Sequence, residues 1–101
     1  MTTHSPGALS DLRVLDLTDA LGVYCTRLLA DLGADVIMVE PPGGAPGRQR
    51  GPYYHDDPGL EHSLWFIHFN ANKRSLTLDL NKSQGQELFK RLVSTATVLV
   101  E

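Results

Sequence analysis

The stretch LLADLGADVIMVE, residues 28–40, contains the end of a helix, a stop and a strand. Leu28, Leu29 and Leu32 recur with Cys25 at helical spacing, and Gly33 supplies the left-handed stop. The following DVIMVE (Asp35 to Glu40) has a nearly continuous apolar centre, the pattern of a strand buried on both faces of a parallel sheet. Toward the amino end, LRVLDL (Leu12 to Leu17) is a short run of strand formers closed by the polar pair Thr18-Asp19. A loop through Gly22 then leads into a helix over Tyr24 to Leu32. Strand, helix and strand follow within about thirty residues, the size of one parallel crossover unit.

Toward the carboxyl end, Pro41 to Gly59 concentrates proline and glycine (PPGGAPGRQRGP) and predicts a long irregular loop. Loops of that length in a compact domain are usually functional or mobile. Periodicity does not separate helix from strand in LWFIHFN (Leu64 to Asn70), and its reading inclines to helix. SLTLDL (Ser75 to Leu80) alternates, with Leu76, Leu78 and Leu80 on one face of a strand. Asn81 followed by Gln84 resembles a capping box, so a helix is predicted from there, with Leu88, Phe89, Leu92 and Val93 as its apolar stripe. Thr97 to Val100 returns to strand. These elements predict an α/β fold, a Rossmann-like open parallel sheet with flanking helices. Residues 1–9 read as a flexible lead-in and residues 10–101 as part of a truncated domain, since the fourth strand runs to Glu101. Ligands of such sheets sit outside the carboxyl ends of the strands.

The 101 residues are 42% hydrophobic and 21% charged, which disfavours fibre, disordered tail and disulfide scaffold. Nine Lys and Arg against twelve Asp and Glu leave a net charge of −3, so no global positive field attracts nucleic acid or anionic lipid. An anionic ligand must be held by local clusters. The lone Cys25 excludes an intrachain disulfide and suits a reducing cytoplasm. Met1 to Ser10 has neither the basic start nor the apolar core of a signal peptide, and no apolar run approaches the ~20 residues of a membrane span. A soluble cytoplasmic protein without nucleic-acid or membrane partners is expected.

A dinucleotide fingerprint would need three spaced glycines after strand one, and only Gly22 is present. Glu40 is placed like a ribose-binding acid, a feature common at strand ends. Cys25, near a helix start, could be an activated thiol but reads more simply as a small residue facing the sheet. His55, His62 and His68, with Asp56, Asp57 and Glu61, are ligand types whose spacing matches no metal motif, so solvated loop residues and no metal are expected. Arg48, Arg50, Lys73, Arg74 and Lys82 lie near predicted strand ends and could serve a phosphorylated ligand or act merely as solubilising charge. Tyr53, Tyr54, Trp65, Phe66 and Phe69 could stack on a base, although core packing is the commoner role.

Specific strings carry more than spacing. RVLDLT (Arg13 to Thr18), LLADLGADVIMVEPPGG (Leu28 to Gly44), NANKRSLTLDL (Asn70 to Leu80) and ATVLVE (Ala96 to Glu101), in this order, resemble the amino-terminal part of the family III CoA-transferases. That family groups formyl-CoA and carnitine CoA-transferases with alpha-methylacyl-CoA racemases. The resemblance covers about Leu9 to Glu101. It implies a Rossmann-like domain that binds the nucleotide end of coenzyme A, in interlocked homodimers, with acyl-CoA and a carboxylic acid as substrates. It also implies an aspartate nucleophile and anhydride and thioester intermediates, and it places that aspartate beyond Glu101, so no catalytic residue is assigned here.

The CoA contacts carried over by the resemblance are Leu21 and Gly22 after strand one, Pro41 after strand two, and Leu78, Asp79, Leu80 and Asn81 at the end of strand three. Three positions depart from the family pattern: Pro41 stands where several members have Arg, Asn81 where they have Lys, and Val23 where Pro is usual. Arg48 or Lys82 is expected to replace the lost charge. A racemase-like member, or a non-catalytic CoA-binding module, are the alternatives.

Overall fold

A computed structural model describes residues 7–101 of the chain. Four strands, β1 (Arg13–Asp16), β2 (Asp35–Glu40), β3 (Arg74–Thr77) and β4 (Val98–Val100), form one sheet in the order β3-β2-β1-β4, and every neighbouring pair is parallel. Helix α1 (Val23–Asp31) joins β1 to β2, the short α2 (Leu64–Phe69) precedes β3, and α3 (Ser83–Val93) joins β3 to β4. The open parallel α/β sheet predicted from the apolar patterns is the fold observed. Among the described residues no helix is long and apolar enough to cross a membrane.

The core lies between α1 and the sheet. Val14 and Val36 pack with Ala30 and Ala34, and Leu9, Leu12, Leu29 and Val100 close the margin. Fully burying one valine or leucine stabilises by about 1.5–3 kcal/mol, so this cluster and the fully buried Leu15 account for much of the apolar drive. The helix face is not the one its leucines predict. Val23, Thr26 and Ala30 are buried, while Cys25, Leu28 and Leu32 are exposed. Small and β-branched side chains let α1 sit close to the strands, where a leucine stripe would hold it off.

Residues 7–9, read as part of a flexible lead-in, pack on the domain. Gly7–Asp11 turn against the end of α1, with the Leu9 amide donating to the Leu32 carbonyl at 3.0 Å, so the lead-in is structured there; Met1–Pro6 lie outside the described residues. The segment Leu64–Asn70 is helical because the Ser63 hydroxyl accepts the Phe66 amide at 3.0 Å and caps α2. The loop between β2 and α2 holds two single 3₁₀ turns, Pro46–Gln49 and Tyr54–Asp56.

The capping box at Asn81 does not form. Asp79 turns the chain instead, its carboxylate accepting the Asn81 amide at 3.0 Å and its carbonyl the Lys82 amide at 3.2 Å, so Lys82 becomes the N-cap, without a side-chain cap, and α3 starts at Ser83. The leucine alternation of β3 also breaks where pairing stops at Thr77: Leu78 is buried, whereas Leu76 is 37% exposed. The apolar stripe of α3 stays partly open, with Leu88 at 50% and Val93 at 40% exposure. Its first turn lies hard against the chain that leaves β3. A Cβ on Gly85 would lie 1.9 Å from the Asp79 carbonyl oxygen. Gly85→Ala is therefore expected to push α3 away from the end of β3 and cost about 1–3 kcal/mol, as overpacking does. Thermal unfolding of the variant measures this, and an unchanged midpoint would show that the contact gives way freely.

Candidate functional site

The carboxyl ends of β1 and β2 each finish in a buried acid. Asp16 is 1% and Glu40 2% exposed. An unpaired carboxylate at that depth would be costly, and each is matched by a cation from far along the chain.

At Asp16, one oxygen accepts the Thr18 amide at 2.8 Å and the Thr18 hydroxyl at 2.5 Å. The other accepts the Thr26 hydroxyl and the Lys73 ammonium, both at 2.8 Å. Lys73 is fully buried, and its remaining two protons go to the Val23 carbonyl at 3.1 Å and Asn70 Oδ1 at 2.8 Å. All three donors of the ammonium are thus matched. Burial holds the Lys73 ammonium below the ordinary lysine range, with the hydrogen bond and charge of Asp16 opposing. This node ties the loop after β1, the start of α1 and the approach to β3 into one unit.

At Glu40, Oε1 accepts the Ala45 amide at 2.8 Å and Arg48 Nε at 2.6 Å, and Oε2 accepts the second fork of Arg48 at 2.9 Å and the Ser75 hydroxyl. The Arg48 hydrogen bond dominates in holding the Glu40 carboxyl at about 2, against burial, which alone would raise it. The third arm of Arg48 donates to the Leu60 carbonyl at 3.1 Å, and its guanidinium lies 4.2 Å from the Phe66 ring centre. Arg48 therefore points inward and pins the glycine-rich loop to β2, and Glu40 is not free to hold a ribose.

The residues expected to meet coenzyme A do reach one edge of the sheet. The Leu78 amide donates to the Glu40 carbonyl at 2.9 Å, which sets the end of β3 beside Pro41. Pro41, Asn81 and Lys82 are exposed there, Leu78 is buried, and Asp79 and Leu80 are partly buried. Across β2 from them, the Asp19 carbonyl accepts the Gly22 amide at 3.1 Å, a turn that leaves Leu21 99% exposed. Of the five cations considered, Lys73 and Arg48 are internal, and Arg74 joins Arg13 on Asp35, with N–O distances of 2.7 and 3.0 Å. Lys82 is 78% exposed, 4.0 Å from Asp79, and Arg50 has no carboxylate within 4 Å among the described residues.

Between the loop after β1 and the glycine-rich loop lies a cavity of about 250 Å³. Thr18, Val23 and Met38 line it together with Gly47, Trp65 and Phe66. A Cβ on Gly47 would sit 2.7 Å from the Trp65 ring, so the loop reaches this close only as glycine. The aromatics divide their roles: Phe66 is buried, Trp65 packs on Phe69 at 4.9 Å, and Tyr54 is 55% exposed. The histidines are scattered. His62 faces Asp57 at 3.3 Å and His68 lies beside Arg27, and among the described residues no three potential metal ligands converge. What the residue-by-residue reading lacked was Asp16 and its partners Thr18, Thr26 and Asn70. Their local signal is weak, a lone acid inside an apolar run and a lysine ahead of a strand.

Fold and rim together define an open-sheet α/β protein whose exposed turns gather at the carboxyl ends of its strands. Residues 9–101 match CoA-transferase family III, and the chain belongs to that family. It is 51% identical over 96 residues to the succinyl-CoA:mesaconate CoA-transferase of Haloarcula hispanica, covering 94% of this chain and 24% of that protein. It is 46% identical over 92 residues to subunit BbsE of the succinyl-CoA:(R)-benzylsuccinate CoA-transferase of Thauera aromatica, covering 91% and 22%. The crystal structure of a CAIB/BAIF family protein from Brucella suis superposes with a TM-score of 0.83 at 38% identity, over 94% of this chain and 25% of that one. The chain thus spans about a quarter of the length of these relatives.

Two measurements test the buried nodes. Asp16→Asn leaves a buried ammonium without its counter-charge and is expected to cost about 3–5 kcal/mol in urea unfolding, whereas Asp16→Asn combined with Lys73→Met should cost less than the two single changes added. Additive losses would show that the two groups do not couple. Glu40 has a depressed folded-state value, so its contribution is complete above the ordinary carboxylate range and fades as pH falls toward about 2. Roughly 3 kcal/mol of stability should disappear across that interval, and Glu40→Gln should flatten the acid limb of the stability profile.

Proposed function

We propose that this chain supplies the coenzyme-binding edge of an enzyme that moves CoA between an acyl-CoA and a carboxylic acid. The carrying observation is the convergence of the loop after β1, Pro41 and the Leu78–Lys82 segment on one sheet edge, in a member of CoA-transferase family III. In this reading Leu21 and Gly22 lie against the coenzyme from one side, Pro41 and Leu78–Asn81 from the other, and Lys82 supplies the phosphate charge. Arg48 contributes indirectly, by fixing the glycine-rich loop through Glu40.

In the reaction we infer, a carboxylate nucleophile attacks the thioester carbonyl, the C–S bond breaks and CoA leaves as thiolate from a mixed anhydride. The thiolate then attacks the enzyme's carbonyl, releasing the donor acid and leaving an enzyme thioester. The acceptor carboxylate displaces CoA from that thioester to form a second anhydride. CoA thiolate attacks the acceptor carbonyl, giving the new acyl-CoA and the free enzyme carboxylate. The buried acids of this chain are unsuited to the first step. Asp16 is closed in by four donors, and Glu40 by the Ala45 amide, the Arg48 guanidinium and the Ser75 hydroxyl. The family resemblance assigns the nucleophile to a segment outside these 101 residues. The names of the two relatives, which pair succinyl-CoA with mesaconate or (R)-benzylsuccinate, favour transfer over racemisation. A reducing cytoplasm and assembly as a homodimer complete the proposal, the first suited by the single cysteine.

Calorimetric titration of the chain with CoA tests the rim. Saturable binding is expected, weakened several-fold by Lys82→Glu, with the difference larger at low salt because the residue is exposed. Unchanged affinity in Lys82→Glu would remove that lysine from the site, and absence of CoA binding would overturn the assignment of the edge.

A further inference from the structure

Arg50 is an exposed cation without an acid partner among the described residues, and it lines the 250 Å³ cavity. Its guanidinium carbon lies 4.5 Å from the centre of the Trp65 ring, so the head is held by stacking with its N–H edge free to donate. The backbone beneath it is fixed as well. The Arg50 carbonyl accepts the Ser63 hydroxyl at 2.5 Å, and the Arg50 amide donates to the Gly47 carbonyl at 3.2 Å. Ser63 is itself 1% exposed and caps α2 through the Phe66 amide, so the arginine stands on a rigid base. A preorganised guanidinium is a receptor for a planar anion, because its fork matches a carboxylate bidentately.

Size limits the occupant. Drug-sized ligands use pockets of about 300–1,000 Å³, and this cavity falls below that range, enough for a small organic acid and too little for a whole coenzyme. Its walls of Val23, Met38, Trp65 and Phe66 suit a short carbon chain, with Thr18 and Asn70 as neutral polar groups and Asp19 as the one acid of the lining. Asp19 is engaged by the Leu21 amide at 3.2 Å and makes no ion pair with Arg50.

We propose that Arg50 is a specificity-determining residue that holds the non-reacting carboxylate of a small dicarboxylic acid, whose carbon chain occupies the cavity. The inference rests on the CoA-transfer reading in one respect. The reacting carboxylate of such an acid loses its charge when it becomes an acyl group, so a fixed cation serves a second acidic group that stays ionised throughout. A monocarboxylic acid of equal length would leave Arg50 unmatched and gain only the apolar contacts.

Trp65 is the sole tryptophan of the chain, so its fluorescence reports on this cavity without labelling. Titration with succinate is expected to give a saturable change, and butyrate to need at least tenfold higher concentration. Arg50→Gln should weaken succinate by about tenfold or more and leave butyrate where it was, while Arg50→Lys, which keeps charge and loses the fork, should fall between. Calorimetry of Arg50→Gln with CoA should match the unsubstituted chain. Equal responses to succinate and butyrate, no saturable response to succinate, or an Arg50→Gln variant that loses CoA and keeps succinate would each overturn the proposal. Failure of the unsubstituted chain to bind CoA is a separate result, and it would remove the CoA-transfer reading while the acid titrations still decide whether Arg50 binds a dicarboxylate.

Discussion

The cost of burying the Asp16 carboxylate organises the strand ends of this protein. At 1% exposure the charge has to be met by donors, and the four it receives come from the loop after β1, from α1 and from Lys73, 57 residues downstream. Satisfying one charge therefore fixes several segments that share no secondary structure. Glu40 repeats the device on the neighbouring strand, drawing in Ala45 and Arg48 of the glycine-rich loop and Ser75 of β3. Such pairs add little net stability compared with apolar replacements, but removing one partner is expensive. Their effect is positional: a loop rich in proline and glycine, whose own backbone hydrogen bonds mostly close local turns, acquires a fixed path over the sheet.

The two faces of the sheet are built differently. On the α1 face, small residues and the two ion-pair nodes bring helix and loops down onto β1 and β2, and the cavity is the space left where Gly47 and Trp65 meet. On the other, α3 touches down through Gly85 and leaves Leu88 and Val93 about half exposed, beside a shallow depression of about 350 Å³ that Leu76, Leu78 and Leu92 also line. The rim residues Pro41, Asn81 and Lys82 belong to neither layer. They sit on the turns that leave β2 and β3, where backbone groups face solvent and a ligand can replace water.

The fold was legible because its signals are local. DVIMVE can be little else than an interior parallel strand, and a glycine stop before it dates the end of the preceding helix. What sequence spacing misjudged were choices settled by tertiary contact. The leucines of α1 suggested its buried face, yet close approach to the sheet selected Thr26 and Ala30. Asn81 and Gln84 had capping chemistry, but the Asp79 turn had already placed the helix start two residues on. In the site, the rim positions came from resemblance and the topology gathers them along one edge. The Asp16–Lys73 and Glu40–Arg48 pairs could not be read, since nothing in either local sequence names a partner 57 or 8 residues away.

That pairing also decides how a chain with a net charge of −3 can meet an anion at all. Its overall field repels a phosphate or a carboxylate, so attraction depends on cations the fold leaves uncommitted at short range. Arg13, Arg27, Arg48, Lys73 and Arg74 are each within 3.4 Å of an acid and contribute little beyond their own pairs. Lys90 and Arg91 sit in the last turn of α3, where they complement the negative end of the helix dipole rather than face the strand ends. The strand-end region is left with Lys82 on the β3 turn and Arg50 above Trp65. These two differ in kind: a mobile, solvated ammonium suits a phosphate that is itself largely in water, whereas a stacked guanidinium over an apolar cavity suits a carboxylate whose carbon chain is withdrawn from it. In the function proposed here, a bulky anionic coenzyme and a small anionic acid divide between these two cations, which stand where the folded chain runs out of internal partners for its positive charge.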